Sequence, residues 1–459
     1  MKQIVTGFAL SIISTGIWAT PALHSSNACL ANLDEHVYSD TIFLYDCNLN
    51  DTDVETLSAD LNNHPNITRV LASGNNITSQ GATTLAQHTN LTELDLGYNN
   101  IDSVGAIALA NMPALTNLRL DNNNIGDQGA KAFAHSTLFQ LSIGYNNISS
   151  NGIAAIANAP IPMLRLSGNQ INNPNLTALA QNEHITDLDL GDANLDANAG
   201  IILSKSNSIE YLYLYGNHIG STGIWALVND NHLKDLSLSA NALHDSDVFL
   251  LTRANHSLSG LDVSNNLITA QGATALASDS QLRNLNISFN TIGDQGVQAF
   301  ANNKSIEELL VDDVGMSNVG IIALAAMPQL WELIANYNNI DDVGITVLAN
   351  NFKGEFLGLS HNNIHDQGAI ALSKNTSIRF LVIGHNAIGS VGISALKNAN
   401  FDYLDVGENE SALQVAAISP KKILELSHLQ VACSKADTMA CYKLKDTQFR
   451  HLKLNKSVK

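Results

Sequence analysis

Aromatic residues make up only 5% of this 459-residue chain and charged residues only 14%, against a hydrophobic fraction of 45%. With so few rings the core must be aliphatic, and apolar content this high and evenly spread is not that of a disordered protein. Motifs that carry chemistry are missing too. No HExxH, CxxC or EF-hand loop occurs, which leaves no metal signature, and the fifteen His are scattered. A phosphate loop, a dinucleotide fingerprint and a nucleophile elbow are equally absent. The sequence therefore points to no catalytic residue, no cofactor and no metal, and it reads as a non-enzyme. Beyond the N-terminus, no apolar run is long enough to span a bilayer.

Positive charge is scarce in the body of the chain. The formal net charge is −19, but from Ser411 onward nine Lys or Arg face three acids. Residues 411–459 thus carry +6 as a basic C-terminal cap or tail, and residues 1–410 carry −25. An acidic body repels phosphate backbones, which argues against nucleic acid and favours a partner with a basic surface. The basic tail could also fold back onto the body. Residues 1–22 read as a secretory signal, with Lys2, an apolar stretch from Ile4 to Trp18 and small residues near Ala19 and Ala22. The same stretch also reads as an apolar cap at the start of the fold. With the signal removed, residues 23–38 would form the N-terminal cap of a secreted or periplasmic monomer without stable membrane insertion. The four cysteines cluster at the two ends, as Cys29 with Cys47 and Cys433 with Cys441. In an exported chain that placement suggests local disulfides; buried thiols are the other reading.

The bulk of the chain is a repeat. LTELDLGYNNI begins at Leu91, LTNLRLDNNNI at Leu115, IEYLYLYGNHI at Ile209 and LRNLNISFNTI at Leu282. The pattern LxxLxLxxNxIxxxGxxxLA recurs about sixteen times over residues 39–410, every 23–25 residues after the first unit. Its anchor is an Asn, found at Asn75, Asn99, Asn123, Asn146, Asn169, Asn217, Asn241, Asn266, Asn290, Asn338, Asn362, Asn386 and Asn409. Cys47, Ala193 and Val314 fill the same slot elsewhere. The LxL pair alternates at period two, so both leucines point inward from a short strand. The Asn comes where the chain turns away, and its amide can satisfy turn groups that would otherwise be buried unpaired. A Gly four residues past the Ile, as at Gly81, Gly105 and Gly296, admits close approach as a short helix begins. The recurrent GDQG falls at the turn into that helix, where its Asp is expected to cap the N-terminus.

This pattern resembles the leucine-rich repeat. The resemblance implies an α/β solenoid, a horseshoe with parallel strands on the concave face and short helices on the convex face. It also implies a continuous Asn ladder, interrupted at Ala193 and Val314, with cysteine a usual substitute as at Cys47. GAIALA at Gly105 and GATALA at Gly272 are similar to the GALA subclass of secreted bacterial effectors and to ribonuclease-inhibitor-like repeats. The F-box that precedes the repeats in those effectors has no counterpart here, so an adaptor role in ubiquitin ligation is not implied.

Candidate binding residues are the strand positions that flank the inward leucines. Tyr211, Tyr213 and Tyr215 alternate with Leu212 and Leu214, so all three rings are expected on the concave surface. Asp187, Asp189 and Asp235 would border them, with Arg119 and Arg165 on earlier strands. Tyr is a good strand former, but it is also enriched at binding hot spots. Leu310, Ile334, Phe356 and Val382 would form a later apolar strip. His361 and His385 precede the ladder Asn in adjacent repeats and should stack about 5 Å apart. The leading functional reading is an exported protein-interaction scaffold of bacterial type that binds a host or envelope protein. A regulator acting through the C-terminal segment and a passive spacer are the rivals.

Overall fold

Among the described residues, the repeats become a strand, a turn and a helix in the computed structural model, the last repeat being described only through its strand, Tyr403–Asp405, and the turn after it. The structure describes residues 29–30, 37–229, 232–253 and 257–409. The signal reading of residues 1–22, the pairing of Cys433 with Cys441 and the basic tail lie outside the described residues. The described chain packs as two compact units, one ending at Leu267 and one beginning at Ile268.

In the first unit, ten parallel three-residue strands run from Thr41–Phe43 to Gly260–Asp262. The short strand Val37–Tyr38 pairs antiparallel with Thr41–Phe43. Register is set by the first leucine of each LxL pair: Leu94 lies opposite Leu118, Leu164 opposite Leu188, and Leu188 opposite Leu212. A one-residue slip would turn these leucines to the other side of the sheet, so burial holds the register. The second unit repeats the arrangement with six parallel strands, from Asn284–Asn286 to Tyr403–Asp405. There Leu309 faces Leu333 and Leu357 faces Leu381.

The helices between strands, such as Ser103–Ala110 and Ala270–Ala277, are too short to persist alone in water. They are held by packing. Leu85, Leu109, Phe133, Leu276, Phe300 and Leu396 are fully buried. The Gly in the first turn of most of these helices makes this possible, since a Cβ on Gly105 would lie 2.6 Å from Cγ2 of Ile101, and one on Gly296 2.4 Å from Cγ2 of Ile292.

The capping role expected for GDQG needs correction. The helix Gly126–Ala132 has no side-chain cap. Asp127 instead accepts from Ser149 in the next repeat, at 2.7 Å from its N–H and 2.6 Å from its hydroxyl. Asp294 does the same with Ser317 and Gly320. Stacking brings the next turn closer than the residue's own helix N-terminus, so these carboxylates join repeats.

The ladder asparagines are buried and bonded in a recurring way. Asn99 Nδ2 donates to Leu96 O and to Ala72 O of the preceding repeat, each at 3.1 Å. Its Oδ1 accepts the Ile77 N–H at 3.0 Å. Asn290 accepts from Ile268 N–H at 3.0 Å and donates to the carbonyls of Ile287 and Ser288. Asn290→Leu keeps the branched shape but strands those groups, and should lower stability by about 3 kcal/mol. Denaturant melting of the purified variant at wild-type stability would contradict this. At the start of the first unit, Cys47 occupies the ladder slot and is joined by a disulfide to Cys29.

Candidate binding face

Residues on either side of the buried leucines turn to the opposite side of the sheet. Strand register sets them in rows. Asp187 pairs with Tyr211 and Tyr211 with Asp235, while Arg165 pairs with Asp189 and Asp189 with Tyr213. The residues singled out from the sequence on these strands therefore do meet, all within the first unit.

They meet as a packed network, not as the solvated strip expected. Tyr213 is only 6% exposed, whereas Tyr211 and Tyr215 are half-buried. The cause is Arg165, whose Cζ lies 4.7 Å from the centroid of the Tyr213 ring. That guanidinium is itself 2% exposed. It holds Asp187 by a hydrogen bond from Nη2 to Oδ2 at 2.9 Å and an ion-pair contact of 2.5 Å between Nη1 and Oδ1. Asp187 and Asp189, expected as an exposed acidic border, are buried at 3% and 8% exposure. A planar cation stacked on a ring and paired with a carboxylate is a rigid floor.

Burial shapes the remaining groups. Asp189 is pushed up to about 6 by burial, against the opposing pull of Arg165. Its Oδ1 accepts the Gly191 N–H at 2.9 Å. The Tyr215 ring lies flat on Gly191, where a Cβ would sit 2.2 Å from Cζ, and its hydroxyl is 3.4 Å from Asp189 Oδ2. Asp235 stays half-exposed, and the bare backbone of Gly260 leaves room for its carboxylate. Arg119, on an earlier strand, is half-buried with Nε 3.9 Å from Asp95 Oδ2.

Several contributors escaped the sequence reading. Tyr145 lies flat over Gly168, and its hydroxyl donates to Asp192 two repeats on. Asp121 accepts from Ser142 and Gly144. Asp262 accepts from Ser237 and the Ser264 N–H, and burial pushes it up to about 7. One signal was available: aromatics recur immediately before the ladder Asn, at Tyr98, Tyr145 and Tyr337.

In the second unit, Leu310, Ile334 and Val382 are buried and not exposed as expected. Phe356 stacks with Phe380 at 6.0 Å. The rings of His361 and His385 stack at 4.1 Å, and Tyr337 joins them at 4.0 Å from His361. Among the described residues no group of three or more His, Cys, Asp or Glu is placed to hold a metal, and no helix is long and apolar enough to cross a membrane.

Two family profiles, both described as leucine rich repeat, match the chain. One covers residues 65–125, and the other residues 135–157, 254–277, 280–301, 355–373 and 374–397. No curated protein matches it. Among solved structures it is similar to an internalin from Listeria monocytogenes str. 4b F2365, at 21% sequence identity over 90% of this chain and 100% of that one, with a TM-score of 0.42. Backbones that superpose so loosely say nothing about partners.

Proposed function

The chain is a leucine-rich-repeat protein, and on that footing we propose that it is a non-catalytic scaffold binding another protein on the strand face of its first unit. The observation that carries this is Tyr211, half-exposed and in register between Asp187 and Asp235. Beside it the Arg165–Asp187 pair and the Tyr213 ring form a floor that cannot rearrange cheaply. A ring held at such a rim loses little freedom on binding and keeps a polar tip. The net acidic body and Asp235 favour a partner with exposed Lys or Arg, and such attraction acts mainly on the rate of encounter.

The test is a double variant, Tyr211→Ala with Asp235→Asn. Circular dichroism should match the wild type, since neither residue is in the core, while the proteins captured by wild type are lost. Capture by the wild type should also weaken as salt rises. A folded double variant that keeps the full set of partners would place the site elsewhere.

We read the chain as exported and monomeric, acting on a host or envelope protein. The Cys29–Cys47 disulfide supports this, because such bonds persist in oxidising compartments. Labelling of both thiols in native protein without reductant would count against it.

A further inference from the structure

The residue before each ladder Asn turns the chain with a positive φ, 54° at Tyr337, 55° at His361, 51° at His385 and 52° at Glu408. These four turns share one backbone shape and follow strands that are neighbours in register, so their side chains stand in a column along the second unit. The rings in it lie face to face. Tyr337 is 4.0 Å from His361 with 11° between the planes, and His361 is 4.1 Å from His385 with 10°. Glu408 closes the column, with Oε2 3.2 Å from His385 Nδ1. His361 is thus held between two rings, and its Nε2 is buried with no hydrogen-bond partner among the described residues.

Such a column can hold one positive charge but not two. On His385 an imidazolium has the Glu408 carboxylate beside it, and Asp405 of the last strand acts with it as well. On His361 a proton would make Nε2 a buried donor without an acceptor. It would also set two like charges on rings 4.1 Å apart. Burial, and then His385, hold His361 below its ordinary 6.5, and Glu408 pulls the other way. The carboxylates where the helices of these repeats begin are engaged by backbone. Asp342 accepts the N–H groups of exposed His365 and of Gly368, and Asp366 accepts that of Gly392. Exposed Asp313 takes the column position one repeat earlier, with Tyr337 between it and His361.

We propose that the column is an acid-released clasp on the last repeats of the second unit. It is closed while at most one of its two histidines is charged; the second protonation parts the rings and loosens the turns that carry Asn362 and Asn386. Above about pH 6.5, the value for an unfolded chain, His361 is neutral in both states and the clasp contributes its full stability. As pH falls below that value the unfolded chain binds a proton that stacked His361 resists, so the closed form is lost toward about pH 5. The clasp lies in the second unit and does not depend on the binding face placed on the first.

Hydrogen exchange of the full-length protein tests this, read by mass spectrometry at about pH 7.5 and about pH 5 and corrected for the intrinsic rate at each pH. Protection of residues 356–390 should fall by about three- to thirtyfold on acidification, the limit being about tenfold for each pH unit below 6.5. Residues 284–310 of the same unit lie outside the histidine pair and should change by less than about twofold. His361→Phe keeps a ring in the stack without a charge and should remove most of the fall. Glu408→Gln changes an exposed side chain and should fold as the wild type does. It should enlarge the fall, because His385 then loses the carboxylate beside it. Equal protection at the two pH values in the wild type, or the same fall in residues 284–310, would overturn the proposal. So would a wild-type fall in folded His361→Phe, or a fall in Glu408→Gln no larger than that of the wild type.

Discussion

Arg165→Ala is expected to lower the stability of the first unit by about 3–5 kcal/mol, the range found when one partner of a buried ion pair is removed. The side chain is 2% exposed and held to Asp187 through both terminal nitrogens. Its loss leaves Asp187 and Asp189 buried without the cation that offsets them, and it uncovers the Tyr213 ring. Asp189 should then be pushed further up, since Arg165 is the largest of the influences that oppose its desolvation. Urea denaturation monitored by circular dichroism measures the stability change. A second variant, Arg165→Met with Asp187→Leu, removes both charges and should recover much of the loss, because desolvation of the pair is no longer required. If Arg165→Ala melts with the wild type, the guanidinium is not part of the packed floor.

That network shows where reading the sequence stops. The inward leucines and the ladder asparagines were legible because each answers to a fixed spacing within a repeat: period two for Leu94 and Leu96, and a set offset for Asn99. Alternation also placed Tyr211 and Tyr213 on the side away from the leucines, which the register supports. It could not tell which ring would be covered. Arg165 reaches Tyr213 across two strands, and the choice depends on how a long side chain leans along the stack. Tyr145 and Tyr215 lie flat because Gly168 and Gly191 have no Cβ to stop them, a condition set one repeat away. The GDQG misreading has the same origin. Asp127 lies in the first turn of its own helix, as a local rule expects of a cap, but stacking presents it with the N–H of Ser149. Interactions within a repeat are governed by spacing, while those between repeats depend on which side chains leave room.

Acidification should stabilise the first unit between about pH 8 and about pH 5, because burial pushes Asp262 up to about 7 and Asp189 up to about 6. Both carboxyls sit above the unfolded value near 3.8. Above pH 7 each is ionised in both states, and the folded state carries the full cost of a buried charge. As pH falls through the folded pKa the native carboxyl takes up a proton that the unfolded chain does not yet bind, so stability rises. The gain ends near the unfolded pKa, where both states are protonated. For Asp262 the change is on the order of 2–4 kcal/mol, at most about 1.4 kcal/mol for each pH unit crossed. Its surroundings explain the direction: the Ser264 N–H and the Ser237 hydroxyl favour the anion, but burial outweighs both. Asp262→Asn removes the charge while keeping a side-chain oxygen for Ser264. That variant should be more stable than wild type at about pH 8, with the difference shrinking toward about pH 5. Thermal melts at the two pH values decide it. An Asp262→Asn variant with the same pH profile as wild type would mean that the carboxyl stays ionised in the folded repeat.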